Sequence, residues 1–176
     1  MAVTLVEGNG RHRLTFLFPD GWHACQFDGS DFYRHKAERI NGMKGVDILA
    51  TDGVVQVVME VKDFRGYAKQ NRQRQRSGAL LEEVAQKVAC TLSALLAARR
   101  SGIEVFAPYY PVLEEKTPVQ VILFLERDEA PGYLRRNNLT LADLKAKLKR
   151  LLVGYRVRCQ VYDRAHLPRR VAWKVR

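Results

Sequence analysis

A single α/β domain, with a central mixed β-sheet flanked by helices, is the architecture that this 176-residue sequence encodes. Two stretches rich in β-branched residues, 46–51 and 54–62, meet at Asp52-Gly53. Apolar residues then recur at helical spacing from Leu80 to Leu96, and a nearly continuous apolar run, 119–125, follows. Strand, strand, helix, strand in that order gives a sheet with antiparallel and parallel neighbours, because a helix between two strands returns the chain to the end from which the first one started.

Asp52-Gly53 is a strong two-residue turn signal, since glycine takes up positive φ at no steric cost. With these two as the loop, Thr51 faces Val54, Leu49 faces Gln56 and Asp47 faces Val58. Side chains alternate along a strand, so Asp47, Glu60 and Lys62 share one face, and Val55, Val57, Met59 and Val61 make the other face wholly apolar. Asp47 and Glu60 become diagonal neighbours, about 7–8 Å apart at the backbone and within reach of one shared metal ion. Two carboxylates on a partly buried face repel unless a cation compensates them. Oxygen ligands with an incomplete protein shell suit Mg²⁺ or Mn²⁺. The Lys62 ammonium beside that cation can orient a water, lower its pKa or stabilise charge on a phosphoryl group. A surface ion pair between Glu60 and Lys62 would account for the alternation alone. It would not account for Asp47 on the same face, or for Val58 and Phe64 flanking the charges.

Gly45-Val46-Asp47, a hairpin, then Glu60-Val61-Lys62-Asp63 resembles the catalytic core of the PD-(D/E)XK nuclease superfamily, which includes restriction endonuclease-like and Holliday-junction resolvase-like enzymes. The resemblance implies a restriction endonuclease-like fold over one nuclease-like domain, 1–176. Its core would be 30–127, with an N-terminal hairpin in 1–29 and a helix-and-strand extension in 128–176. It implies a Mg²⁺- or Mn²⁺-dependent nuclease acting on DNA before RNA, with Asp47 and Glu60 holding the metal, the Val61 carbonyl completing its coordination and Lys62 assisting the attacking water. Enzymes of this kind often pair as homodimers to cut both strands. An inactive nuclease-fold module that binds nucleic acid or a protein partner fits the same resemblance. Family members often carry a Glu on a first helix, then a strand before the Asp strand, whereas Glu38 stands nine residues before Asp47. Either Trp22–Phe27, ahead of the helix, is the first core strand or the core is abridged. Glu38 is an accessory metal ligand on the family pattern, and a solvent-facing carboxylate beside Arg34 and Arg39 on its own composition.

With 30 Lys+Arg against 19 Asp+Glu, the net charge of +11 creates a field attractive to phosphate backbones. From Arg65 to Arg76 the chain has no acidic residue, and Arg65, Lys69, Arg72, Arg74 and Arg76 are candidate phosphate contacts, with Tyr67 available to stack on a base. The N-terminus lacks a basic segment followed by a long apolar core, and Glu82, Glu83 and Lys87 interrupt the most apolar helix, so neither a membrane anchor nor an export signal is expected. Cys25, Cys90 and Cys159 are odd in number, far apart and set in apolar or alternating stretches, as in a reduced cytoplasmic protein. His12, His23, His35 and His166 have no spacing that suits zinc.

Around this core, Ser77 is placed to cap the helix bearing Leu80, Leu81, Val84, Val88, Leu92, Leu95 and Leu96. Gln86 and Lys87 read as facing solvent, although the resembling nucleases sometimes use a polar residue from this helix near the active site. Glu114, Glu115 and Lys116 belong to a polar connection with Pro108, Pro111 and Pro118. Thr140 to Asp143 resembles a capping box before an amphipathic helix, and alternation from Tyr155 to Tyr162 reads as a strand. Arg13–Phe18 and Trp22–Phe27 around Pro19-Asp20-Gly21 read as a hairpin. Ser30 then caps a helix with Tyr33, Ala37 and Ile40 on one side, and 171–175 supplies an edge strand.

Overall fold

The computed structural model describes residues 1–66, 78–128 and 139–176. The chain runs β1 (Val3–Glu7), β2 (Leu14–Phe18), β3 (His23–Gln26), β4 (Ile48–Thr51), β5 (Gln56–Asp63), α1 (Ala79–Arg100), β6 (Val119–Glu126), α2 (Leu141–Leu151), β7 (Arg158–Tyr162) and β8 (Lys174–Val175). Five strands form a mixed sheet in the order β3-β4-β5-β6-β7. β3, β4 and β5 are antiparallel neighbours; β5, β6 and β7 are parallel. The fold is thus α/β, with α1 joining the parallel pair β5 and β6 as the strand–helix–strand order requires.

The N-terminal hairpin does not form. β2 pairs with β1 and β8 in a separate three-stranded sheet, and β3 pairs with β4 at the edge of the large one. The reason lies in the side chains of β2. Leu14, Phe16 and Phe18 all point one way and are buried. They cover the apolar back of the large sheet, where Ile48, Ala50, Val57, Met59, Ile122 and Phe124 lie, and Trp173 fills the same layer. Stacking buries three large side chains that simple pairing with β3 would leave beside the sheet. With β3 first in the large sheet, the strand ahead of the helix region opens the core.

The opposite face of the large sheet carries Leu49, Val58, Val121, Leu123 and Val161, and helices cover it. α1 contributes Leu80, Leu81, Val84, Val88 and Leu95, while Leu96, expected on this stripe, is 49% exposed and Ala94 and Ala98 are buried in the last turns. The small alanines permit close approach to the strands. α1 begins after Gly78, the N-cap residue, whose left-handed φ of 86° suits glycine; Ser77 lies outside the described residues. α2 has the expected capping box, Thr140 accepting from the Asp143 N–H and Asp143 from the Thr140 N–H. The expected polar connection is instead partly a 3-10 helix, Glu104–Leu113, burying Phe106, Tyr109 and Val112 at a spacing of three. Ser30 does receive the Tyr33 N–H (3.3 Å), but the following turn, Tyr33–Ala37, is π-helical and stops at Glu38, so Ile40 falls beyond it and is exposed. Both faces of β6 are covered, which is why its sequence runs almost uniformly apolar. Among the described residues no helix is long and apolar enough to cross a membrane.

Candidate functional site

The β4–β5 connection has four residues, not two. Asp52 Oδ1 accepts from the N–H groups of Val54 (2.9 Å) and Val55 (2.8 Å), an Asx-type closure that takes both valines into the loop, and Gly53 supplies the left-handed φ of 87°. Thr51 therefore pairs with Gln56 and Leu49 with Val58, a register two residues away from the one expected. A slip of two leaves every side chain on its face. Continuing that register places Asp47 directly across from Glu60 rather than diagonal to it, and Lys62 follows Glu60 on the same face. The apolar assignment of Val55, Val57, Met59 and Val61 to the other face holds.

Asp47 lies just before β4, fixed from three sides. Its carbonyl accepts from the Phe27 N–H (2.8 Å) and its Oδ2 from the Val61 N–H (2.6 Å). The preceding Val46 N–H is held by Thr91 Oγ1 of α1 (3.0 Å), whose hydroxyl donates to the Lys87 carbonyl (2.8 Å). Gly45 permits this path. A Cβ there would stand 2.9 Å from Tyr33 Cε2 and 3.1 Å from Phe27 Cδ1, and the Gly45 N–H bonds to the Tyr33 hydroxyl at 2.5 Å. Gly45→Ala is expected to destabilise the chain by about 1–3 kcal/mol through overpacking against two rings, read as a lowered midpoint in urea; an unchanged midpoint would remove this role for the glycine.

Lys87 was expected in solvent. It is buried instead, on the same stripe as Val84, Thr91 and Leu95, and its Nζ lies 2.6 Å from Glu60 Oε1 and 3.5 Å from Asp47 Oδ1. The reason is electrostatic: α1 covers the very face on which the two carboxylates sit, and their burial needs a counter-charge from above. Lys62 approaches the same Glu60 Oε1 at 2.9 Å and also reaches Glu83 of α1 at 3.1 Å. Burial alone would lower both lysines, but the Glu60 carboxylate, joined by Glu83 at Lys62 and by Asp47 at Lys87, outweighs it and holds each ammonium above the ordinary lysine range.

Glu60 is 1% exposed. Burial, and then the Asp47 charge, push its carboxyl up to about 7 against the two lysines. Asp28 and Glu7 stand near enough to feel Asp47 and Lys87, and burial followed by like charge raises both. The folded chain therefore keeps a proton on Glu60 between pH 4.5 and about 7 that the unfolded chain has already released. This stabilisation is complete below 4.5 and lost as pH rises through 7, amounting to on the order of a few kcal/mol. In chelator, wild-type stability should fall across that window more steeply than that of Glu60→Gln; equal slopes in pH-dependent urea melts would contradict the raised carboxyl.

Of the other expected site residues, Glu38 and Arg65 fall within the described residues. Glu38 is exposed at the end of the π-helical turn, near enough for its charge to act on the Tyr33 hydroxyl. Arg65 is bound through its guanidinium to Asp63, whose carboxyl it holds below the usual range despite burial, and His12 approaches the same carboxylate at 3.3 Å. Lys69, Arg72, Arg74 and Arg76, with Tyr67, lie outside the described residues. Glu83, Thr91, Asp28 and Glu7 were not expected at the site, and Lys87 only as a polar residue on the helix from which the resembling nucleases sometimes reach it. Only Lys87 and Thr91 had a signal in the sequence, their place on the apolar stripe of α1.

Among the described residues no three His, Cys, Asp or Glu side chains gather to hold a metal. What a divalent cation would meet here is a pair of carboxylates and one underused oxygen. Glu60 Oε2 is buried with no hydrogen-bond partner among the described residues, a costly state for a carboxylate oxygen and one that a hard cation would relieve. The Lys87 ammonium already touches both acids, so positive charge at that position has ligands on two sides. The donor set fits Mg²⁺ or Mn²⁺ with water or phosphate filling the remaining shell. Compared with known proteins, the chain matches no family model, no curated protein and no solved structure.

Proposed function

We propose that this protein is a metal-dependent phosphodiesterase that hydrolyses nucleic acid, DNA in the first instance, on a restriction endonuclease-like core. The single observation that carries the reading is the convergence of Asp47, Glu60 and Lys62 at one point of the sheet, where one buried Glu60 oxygen has no partner among the described residues. The order of the Asp strand, the Glu–Lys strand, a covering helix and a parallel strand supports the same resemblance. The net charge of +11 suits a phosphate-backbone substrate.

Asp47 and Glu60 would hold the cation, which supplies Lewis acidity and a water of lowered pKa. Asp47 is oriented for this by the Val61 N–H, and Glu60 by its place opposite Asp47. Lys62 stays protonated at neutral pH because Glu60 and Glu83 both stabilise its charge. It is therefore not the base. Its ammonium positions the attacking water and stabilises negative charge on the phosphoryl oxygens as the bond to the leaving oxygen breaks. α1 excludes bulk water from the side facing the helix, which strengthens each of these interactions.

One observation favours a second reading. An ammonium that already neutralises both carboxylates is also what a nuclease scaffold without metal would keep, leaving a binding module. One assay separates the two. Purified protein is incubated with linear, circular, single-stranded and branched DNA and with RNA, in Mn²⁺ or in chelator. Cleavage that requires the metal is the expected result; salt-sensitive binding without cleavage of any substrate would contradict the enzymatic reading.

A further inference from the structure

Lys87 is a buried cation that the proposed chemistry does not use. Its side chain crosses from α1 into the sheet face and ends 2.6 Å from Glu60 Oε1 and 3.5 Å from Asp47 Oδ1. Those are the two acids that would hold a divalent cation, so the ammonium and the metal compete for the same oxygens. Lys62 touches the same Glu60 Oε1 at 2.9 Å but keeps Glu83 as a second partner at 3.1 Å.

We infer that Lys87 is a built-in counter-cation for the metal site, a positioning residue that holds Asp47 and Glu60 together in the metal-free protein and is displaced from them when a divalent cation enters. This rests on the proposed metal-dependent reading. The physical ground is that the ammonium sits within contact of both acids, where it screens the repulsion between two facing buried carboxylates, and being tethered it does so without loss of translational freedom. It is a weaker match than a divalent ion for a pair of hard oxygen donors, because it carries a single charge and donates along fixed directions. Lys87 would therefore protect the folded state while setting the metal concentration at which the site loads.

Mn²⁺ alone is the probe, with binding measured by calorimetry at pH 8 on wild type, Lys87→Met and Lys87→Arg. Lys87→Met should bind Mn²⁺ roughly 10- to 100-fold more tightly than wild type, the range of one charge-assisted hydrogen bond lost by the competitor. It should also melt lower in chelator and gain more in melting temperature from Mn²⁺. Lys87→Arg, which keeps the charge, should restore stability in chelator and weaken metal binding again. A second measurement needs no variant: amine acylation of the wild-type chain, read by mass spectrometry, should modify Lys87 faster in Mn²⁺ than in chelator. Equal Mn²⁺ affinities in wild type and Lys87→Met, or a Lys87 labelling rate indifferent to Mn²⁺, would overturn the competition while leaving the metal site standing. If neither wild type nor Lys87→Met binds Mn²⁺, the proposed function fails and this inference with it.

Discussion

Replacing Glu60 with alanine is expected to reduce metal-dependent cleavage by at least about 10²–10³-fold, the range seen when one transition-state-stabilising group is removed, and to leave nucleic-acid binding largely intact. Glu60 is where the site's interactions meet: Lys62 and Lys87 both contact its Oε1, and its Oε2 is the buried oxygen with no partner among the described residues. Alanine removes the proposed metal ligand and the anchor of both lysines together. The fold should survive, because Lys62 retains Glu83 at 3.1 Å and Lys87 retains Asp47 at 3.5 Å. The residues proposed to contact phosphate are others, so binding and its salt dependence should change little. Lys62→Ala should act in the same direction. Single-turnover cleavage beside a binding isotherm separates the two quantities; cleavage retained in either variant would remove that residue from the chemistry.

Phe106→Ala should cost about 3–5 kcal/mol, as for other fully buried aromatic residues cut to alanine, and lower the melting temperature by on the order of 10 °C in a chain of this length. Phe106 is 2% exposed and packs edge-on against Phe27 at 5.5 Å and Phe32 at 5.6 Å. Phe27 in turn touches the space beside Gly45, so the cluster supports the chain entering Asp47. A calorimetric melt within a degree or two of wild type would show that the 3-10 segment does not brace the core.

That segment also shows where the sequence stops being legible. Its two prolines and acidic flank read as a connection, yet Phe106, Tyr109 and Val112 recur at a spacing of three and face inward, a pattern too short to separate from chance in a proline-rich stretch. Apart from β1, the strands, α1 and the capped α2 were readable because periodicity and capping are local. The face shared by Asp47, Glu60 and Lys62 was readable too, since it depends only on parity along the strand, and it survived a two-residue error in register. The pairing of β2 was not, because choosing between a neighbouring strand and a stacked sheet depends on where Leu14, Phe16 and Phe18 find the most apolar surface. Lys87 was misplaced for a related reason. A lysine within a helical stripe normally turns to water, and only the charges on the sheet beneath it reverse that preference.

The central claim is that Asp47 and Glu60 together hold a divalent cation. A crystal grown with Mn²⁺ and measured at an anomalous wavelength tests it most directly. The account predicts an anomalous peak bridging the two carboxylates, with Glu60 Oε2 engaged and the Lys87 ammonium moved aside. No peak there at saturating Mn²⁺, with Lys87 still bound to Glu60 Oε1 and Asp47 Oδ1, would contradict it.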